Sequence, residues 1–127
     1  MRLLLGTTVL FCLAASPAVA QDAAQADAKH HKVEFENDQV RVLRYTIAPH
    51  DKTAMHEHPT NVQIMLTDHN ARVTTPDGKT VEVHGKAGQV AWRGPTKHIV
   101  ENIGDQPIEG ILVEPKTAPS AGKPPGK

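Results

Sequence analysis

The sequence is poor in the residues that build several common sites. Cysteine occurs once, at Cys12, and serine twice, at Ser16 and Ser120. That excludes a disulfide scaffold or a thiolate zinc site, and leaves almost nothing from which to make a serine or thiol nucleophile. Aromatic residues are 3% of the chain, and acidic and basic residues balance at 14 each. A chain with neither a basic excess nor stacking platforms does not fit nucleic-acid binding. The one long apolar run lies at the N-terminus and is too short for a membrane span. At 127 residues there is room for one domain. Histidine, by contrast, is abundant: there are eight, and imidazole is the commonest side-chain ligand of metals.

The apolar run has the form of an export signal. Met1-Arg2 gives a short positive start, Leu3-Leu4-Leu5 and Val9 to Ala15 an apolar stretch, and Ala18-Val19-Ala20 a small-residue cleavage pattern. Together they read as a secretory signal peptide over residues 1–20, cut after Ala20, which places the mature protein in the periplasm or outside the cell. Phe11 before Cys12 is too large for a lipid-attachment signal. Cleavage removes Cys12 and Ser16 but keeps all eight histidines.

Residues 21–32 are small and polar and are expected to form a flexible leader. Residues 116–127, rich in proline and lysine, are expected to form a disordered tail. Between them, residues 33–115 alternate with the period of strands: Val33 to Phe35, Val40 to Ile47, Val62 to Leu66, Arg72 to Thr75, Thr80 to Val83, Gln89 to Trp92, His98 to Val100 and Ile108 to Val113. Pro76-Asp77-Gly78-Lys79 is a hairpin turn by composition. About eight short strands with no helical period predict an all-β sandwich or barrel. So small a core gains from a bound metal or from pairing as a homodimer.

Two of the histidines form a local signal. In Met55-His56-Glu57-His58-Pro59, an extended backbone puts His56 and His58 on one face and Glu57 on the other, with the imidazoles about 7 Å apart along the strand. Such a pair converges on one ion, or belongs to a polar loop before a proline. His98 lies forty residues beyond His58, at the start of a strand.

With His98 in place the sequence resembles the cupin family, small β-barrels of the jelly-roll type. That family's first motif has H-x-H, three or four residues, then Glu; here His56-x-His58 is followed after four residues by Gln63. Its second motif has Gly, a Pro-Gly turn, His, three residues and Asn; here Gly88, Gly94-Pro95, His98 and Asn102 keep that order, with the turn altered. The resemblance spans about residues 38–114. It implies that His56, His58 and His98 converge on a divalent transition metal (Fe, Mn, Ni, Zn or Cu). Gln63 stands at the family's carboxylate position. It keeps an oxygen but loses the charge, and reads either as a weak fourth ligand or as a donor that orients a ligand or water. Losing that charge leaves a more positive site, suited to a small molecule or an anion.

Met65 has the same strand parity as Gln63 and should face the barrel interior, as pocket lining or core filler. Trp92 is either a pocket wall or core. His50, His69 and His84 read as solvated turn or strand-end residues, and His30-His31 as loose metal binders in the leader. Gly78-Lys79-Thr80 is not a phosphate loop, because Val73 stands where its first glycine is required. Three functions follow in order of support: an exported metalloenzyme of oxygenase or isomerase type, a non-catalytic binder of metal or a small ligand, and a metal-free cupin module.

Overall fold

The computed structural model describes residues 21–116. The expected signal peptide and residues 117–127 of the expected tail lie outside them. Nine strands follow one short helix: α1 (Ala23–Ala26), β1 (His31–Glu36), β2 (Val40–Ile47), β3 (His56–His58), β4 (Asn61–Met65), β5 (His69–Thr74), β6 (Thr80–Gly85), β7 (Val90–Arg93), β8 (Thr96–Asn102) and β9 (Ile108–Pro115). They form two antiparallel sheets, one of order β1-β2-β9-β4-β7 and one of order β3-β8-β5-β6. The fold is the all-β sandwich expected, with one strand more: β3 is the three-residue His56-Glu57-His58 segment, too short to show an alternation of its own.

Alternation in sequence becomes alternation in burial. β9 is buried at every second residue: Ile108, Gly110, Leu112 and Glu114. Each faces an inward residue of β2: Ile47 with Ile108, Tyr45 with Gly110, Leu43 with Leu112, Arg41 with Glu114. On its other side β9 places Gly110 beside Met65 and Leu112 beside Gln63. Gly110 is required here, since a Cβ would lie 2.1 Å from the Tyr45 hydroxyl. The second sheet presents Val100, Val73 and Val81 in one row across β8, β5 and β6. Thr75 to Lys79 closes the β5–β6 hairpin as its composition predicts, with Gly78 at φ 82 and its N–H on the Thr75 carbonyl.

The same parity corrects one expectation. Trp92 pairs with Val62, which in turn pairs with Val113, on the outer face of the five-stranded sheet. It is 59% exposed and is neither core nor pocket wall.

The leader is also corrected. Residues 21–32 are built into the barrel rather than free of it. Asp22 caps α1 by accepting from the Ala24 N–H, and Ala23 is fully buried within the core cluster of Leu43, Tyr45, Ile47, Ala71, Ile108 and Leu112. The Glu57 N–H donates to the Gln21 carbonyl at 2.7 Å, so the segment lies along β3. Small side chains read as flexible here because alanine gives no amphipathic signal, yet small size is what lets the strap pack closely. At the far end, the Lys116 N–H bonds the Gln39 carbonyl at 2.9 Å. Among the described residues no helix is long and apolar enough to cross a membrane.

Candidate metal centre

The described interior holds ten buried polar or charged residues against eight apolar ones, an excess that packing alone does not call for. Three of its imidazoles cluster with the half-buried His98. β3 and β8 pair so that His56 lies directly opposite His98, and strand parity returns His58 to the same face. Ring centroids stand 4.7 Å apart for His56 and His58, 4.9 Å for His56 and His98, and 5.6 Å for His58 and His98. The fourth comes from the strap: His31 lies 4.6 Å from His56 and 5.4 Å from His58. Ring nitrogens of His31, His56 and His58 all lie within 4.8 Å of one another.

Each of those three rings is held by its Nδ1. That of His56 donates to the Ala54 carbonyl at 2.8 Å. That of His31 faces Asp27, 3.1 Å from Oδ2. That of His58 lies 3.3 Å from Oε1 of Glu114, which is buried and bonded by the Arg41 guanidinium at 2.8 Å, and Arg41 also pairs with Asp22. A proton fixed on Nδ1 leaves the Nε2 lone pair free, the arrangement by which carboxylates and carbonyls orient metal-binding histidines. Nε2 of His56 is buried without any hydrogen-bond partner. Such an orphan costs free energy unless something fills it.

Three imidazoles of the cluster have their pKa values held down. Burial first, then the neighbouring histidines, push His98 down to about 3. His31 is lowered by burial and by His56 and His58. His56 is lowered mainly by burial. Neutral imidazoles are the form that ligates metals. His30 goes the other way: burial opposes its charge, but Asp27 at 2.8 Å and Asp51 at 3.0 Å outweigh it and raise the pKa. It braces the strap as a cation and offers no lone pair to the cluster.

The imidazoles open on a cavity of about 290 Å³ whose lining includes Tyr45, Asn61, Gln63, Met65, His69 and Arg93. His69, expected to be solvated, is buried and hydrogen-bonded on both nitrogens. Its Nδ1 donates to the Thr67 carbonyl at 2.9 Å, so its Nε2 accepts from the Tyr45 hydroxyl at 2.8 Å. Tyr45 in turn accepts from the Gln63 amide at 3.0 Å, and Gln63 Oε1 accepts from Arg93 Nε at 3.1 Å. Both polar ends of Gln63 are thus engaged across the cavity wall, and the oxygen that would ligate is taken by Arg93. Burial raises the Tyr45 phenol to about 12. Met65 is buried, with its sulfur packed against Gly85 of the opposite sheet. Asn102 organises a turn: it donates to the Ile47 and Gln106 carbonyls and accepts from the Gly104 N–H. His50 and His84 are exposed.

Sequence reasoning treated His31 as leader and His69 as solvent-facing. His31 opens β1 opposite the inward Tyr45, but Val33 and Phe35 beyond it are exposed and a bulge separates them, so no buried alternation marked it. His69, by contrast, alternates with Ala71 and Val73.

No protein-family model matches the sequence, and no curated protein matches it. Solved structures do. The chain is similar to a cupin domain from Bordetella pertussis, 25% identical, covering 68% of this chain and 92% of that one, with a TM-score of 0.62. It shares its fold with an uncharacterized conserved protein with a double-stranded β-helix domain from Klebsiella pneumoniae, 24% identical, covering 65% and 72% of the two chains, with a TM-score of 0.53. Two antiparallel sheets, likeness to solved cupin domains, and His56, His58 and His98 in the order of that family's two motifs give this chain the cupin fold.

Proposed function

We propose that this cupin binds one divalent transition metal through Nε2 atoms of His56, His58 and His98, with His31 as a fourth imidazole, and acts on a small molecule held in the adjoining cavity. The observation that carries the reading is the buried, unpartnered Nε2 of His56 among three further imidazoles. An all-imidazole donor set suits Zn, Cu, Fe or Ni, and the residues fit such an ion. When bound, the metal would supply Lewis acidity and a template for the substrate.

Tyr45 Oη donates to His69 Nε2, and with the phenol raised to about 12 and the imidazole lowered the proton stays on Tyr45, so the pair holds a neutral hydroxyl in place at the cavity wall. The signal sequence of residues 1–20 supports export, with a mature chain beginning at Gln21. A non-catalytic binder is the second reading, and the observation favouring it is that no carboxylate lines the cavity.

The test is elemental mass spectrometry on protein recovered from its export compartment without chelators, beside a His56→Ala/His98→Ala double variant. The expected result is near-stoichiometric metal in the native chain and none in the variant. Turnover of a small substrate, or metal-dependent oxygen consumption, selects the enzyme. Tight copper or zinc binding without turnover selects the binder. No metal in either protein, and no uptake on titration, overturns the site.

A further inference from the structure

Charge is distributed unevenly in the cavity. Among the described residues that line it, Arg93 is the only fixed ionic group, and there is no Asp, Glu or Lys. Arg93 sits on β7, an edge strand, with its Nε tied to Gln63 Oε1 at 3.1 Å. Its two Nη groups have no hydrogen bond and no ion pair among the described residues. Most of the chain's other arginines are matched: Arg41 with Asp22 and Glu114, Arg44 with Glu34 and Glu109, Arg72 with Glu82 and Glu101. A guanidinium held by one nitrogen, with its fork free at the edge of an otherwise uncharged pocket, is set for a planar anion.

A second unfilled group stands beside it. Arg93 pairs directly with Asn61 across β7 and β4. The Asn61 amide nitrogen donates to the Pro59 carbonyl at 2.9 Å, which fixes the oxygen, and that oxygen is buried with no donor. A bare carboxylate is a poor neighbour for a lone acceptor, whereas a hydroxyl beside the carboxylate satisfies it. Val73, Val81 and Val83 of the other sheet add apolar wall to the same cavity.

We infer that the cavity takes a small aliphatic hydroxycarboxylate, its carboxylate gripped by the Arg93 fork and its hydroxyl donating to Asn61 Oδ1. This rests on reading the cavity as the ligand site, but not on the metal. Gln63 then acts as a positioning residue that aims Arg93. The glutamine found where the family places a carboxylate leaves the cation free for a ligand, whereas a glutamate there would neutralise it.

The test measures calorimetric binding of three probes to the purified mature chain: 2-hydroxy-4-methylpentanoate, 4-methylpentanoate and 4-methylpentanamide. Metal content is recorded for every sample. Losing a charge-assisted fork should weaken binding by ~10–100-fold, so the amide should bind that much more weakly than either acid. Arg93→Met should abolish the acid preference with metal content unchanged. Arg93→Lys, which keeps the charge without the fork, should restore part of it and shows that the pocket is intact. The hydroxy acid should bind more tightly than its deoxy analogue, and Asn61→Ala should erase that difference. Equal binding of acid and amide, or no binding of any probe at millimolar concentration, overturns the inference. So does an acid preference that survives Arg93→Met but disappears on stripping the metal, which puts the carboxylate on the ion and leaves the metal reading intact. An Arg93-dependent preference in protein that never takes up metal upholds the inference and refutes the metal reading. Equal binding of the two acids removes the role given to Asn61.

Discussion

Stripping the chain of metal and lowering the pH should destabilise it, and the histidine cluster sets the size of the loss. His31, His56, His69 and His98 all have pKa values held below the ordinary imidazole value, chiefly by burial. In the unfolded chain each takes a proton as pH falls through about 6.5; in the folded chain His98 resists down to about 3. The unfolded state therefore binds more protons, and stability present in full above pH 6.5 is lost between 6.5 and 3. For His98 alone, going from pH 7 to pH 5 costs about 2 kcal/mol. His30 has the opposite sign. Its pKa is raised despite burial, because Asp27 and Asp51 hold the charge, so its contribution is complete below 6.5 and disappears as pH rises through its folded value. It offsets part of the acid loss. In a domain of this size 2 kcal/mol corresponds to a Tm fall of roughly 8–16 °C. The assay is scanning calorimetry of chelator-treated protein at pH 7, 6 and 5, with His98→Leu alongside. The variant should lose about 2 kcal/mol less over that range. A Tm that is flat or rises towards pH 5, or an identical slope in His98→Leu, refutes the account of a neutral buried cluster.

Other consequences are as direct. Gly110→Ala would drive a methyl group into the Tyr45 ring, so a loss of about 1–3 kcal/mol is expected in denaturant melts, with Tyr45→Phe in the same background relieving only the hydroxyl part of the clash. Tyr45→Phe alone leaves the Gln63 amide and His69 Nε2 unpaired and should cost about 1–3 kcal/mol by chemical denaturation. Glu114→Gln weakens the anchor of His58 and should lower metal affinity about 10–100-fold in chelator competition. Removing residues 21–30 takes Ala23 out of the core and frees His31. A truncated chain that melted at the native temperature would show the strap to be dispensable.

How much of this was legible in the sequence depends on the range over which each signal acts. Alternation along β2 and β9 is local, so Leu43, Tyr45, Ile47, Ile108 and Leu112 could be read as one buried face. The turn at Thr75–Lys79 was legible for the same reason. His56 and His58 share a face by strand parity, but their meeting with His98 depends on a pairing between segments forty residues apart, which only a family resemblance could supply. Two errors have a physical cause. The strap was read as loose because its burial comes from Ala23, too small for any hydrophobic pattern, and from His31, polar yet enclosed by other histidines. Trp92 was left open between core and pocket because hydrophobicity suggested burial, whereas parity with Val62 fixes it outward. The chain Arg93–Gln63–Tyr45–His69 draws one residue from each of four strands, and no spacing in a linear sequence encodes that.

The pairing of β2 with β9 has a further kinetic consequence. Val40 meets Pro115 and Ile47 meets Ile108, so the central strand of the larger sheet is the last of the described strands to be synthesised. Until β9 arrives, β2 and β4 have no common neighbour, and Leu43 and Tyr45 lack Leu112, Gly110 and Ile108 to pack beside. No N-terminal fragment can therefore complete the barrel, and folding should proceed in one late step with the slow kinetics of non-local β topologies, milliseconds to seconds. The imidazole cluster draws on β1, β3 and β8, none of which pairs with β9, so its histidines can meet only where the two sheets come together.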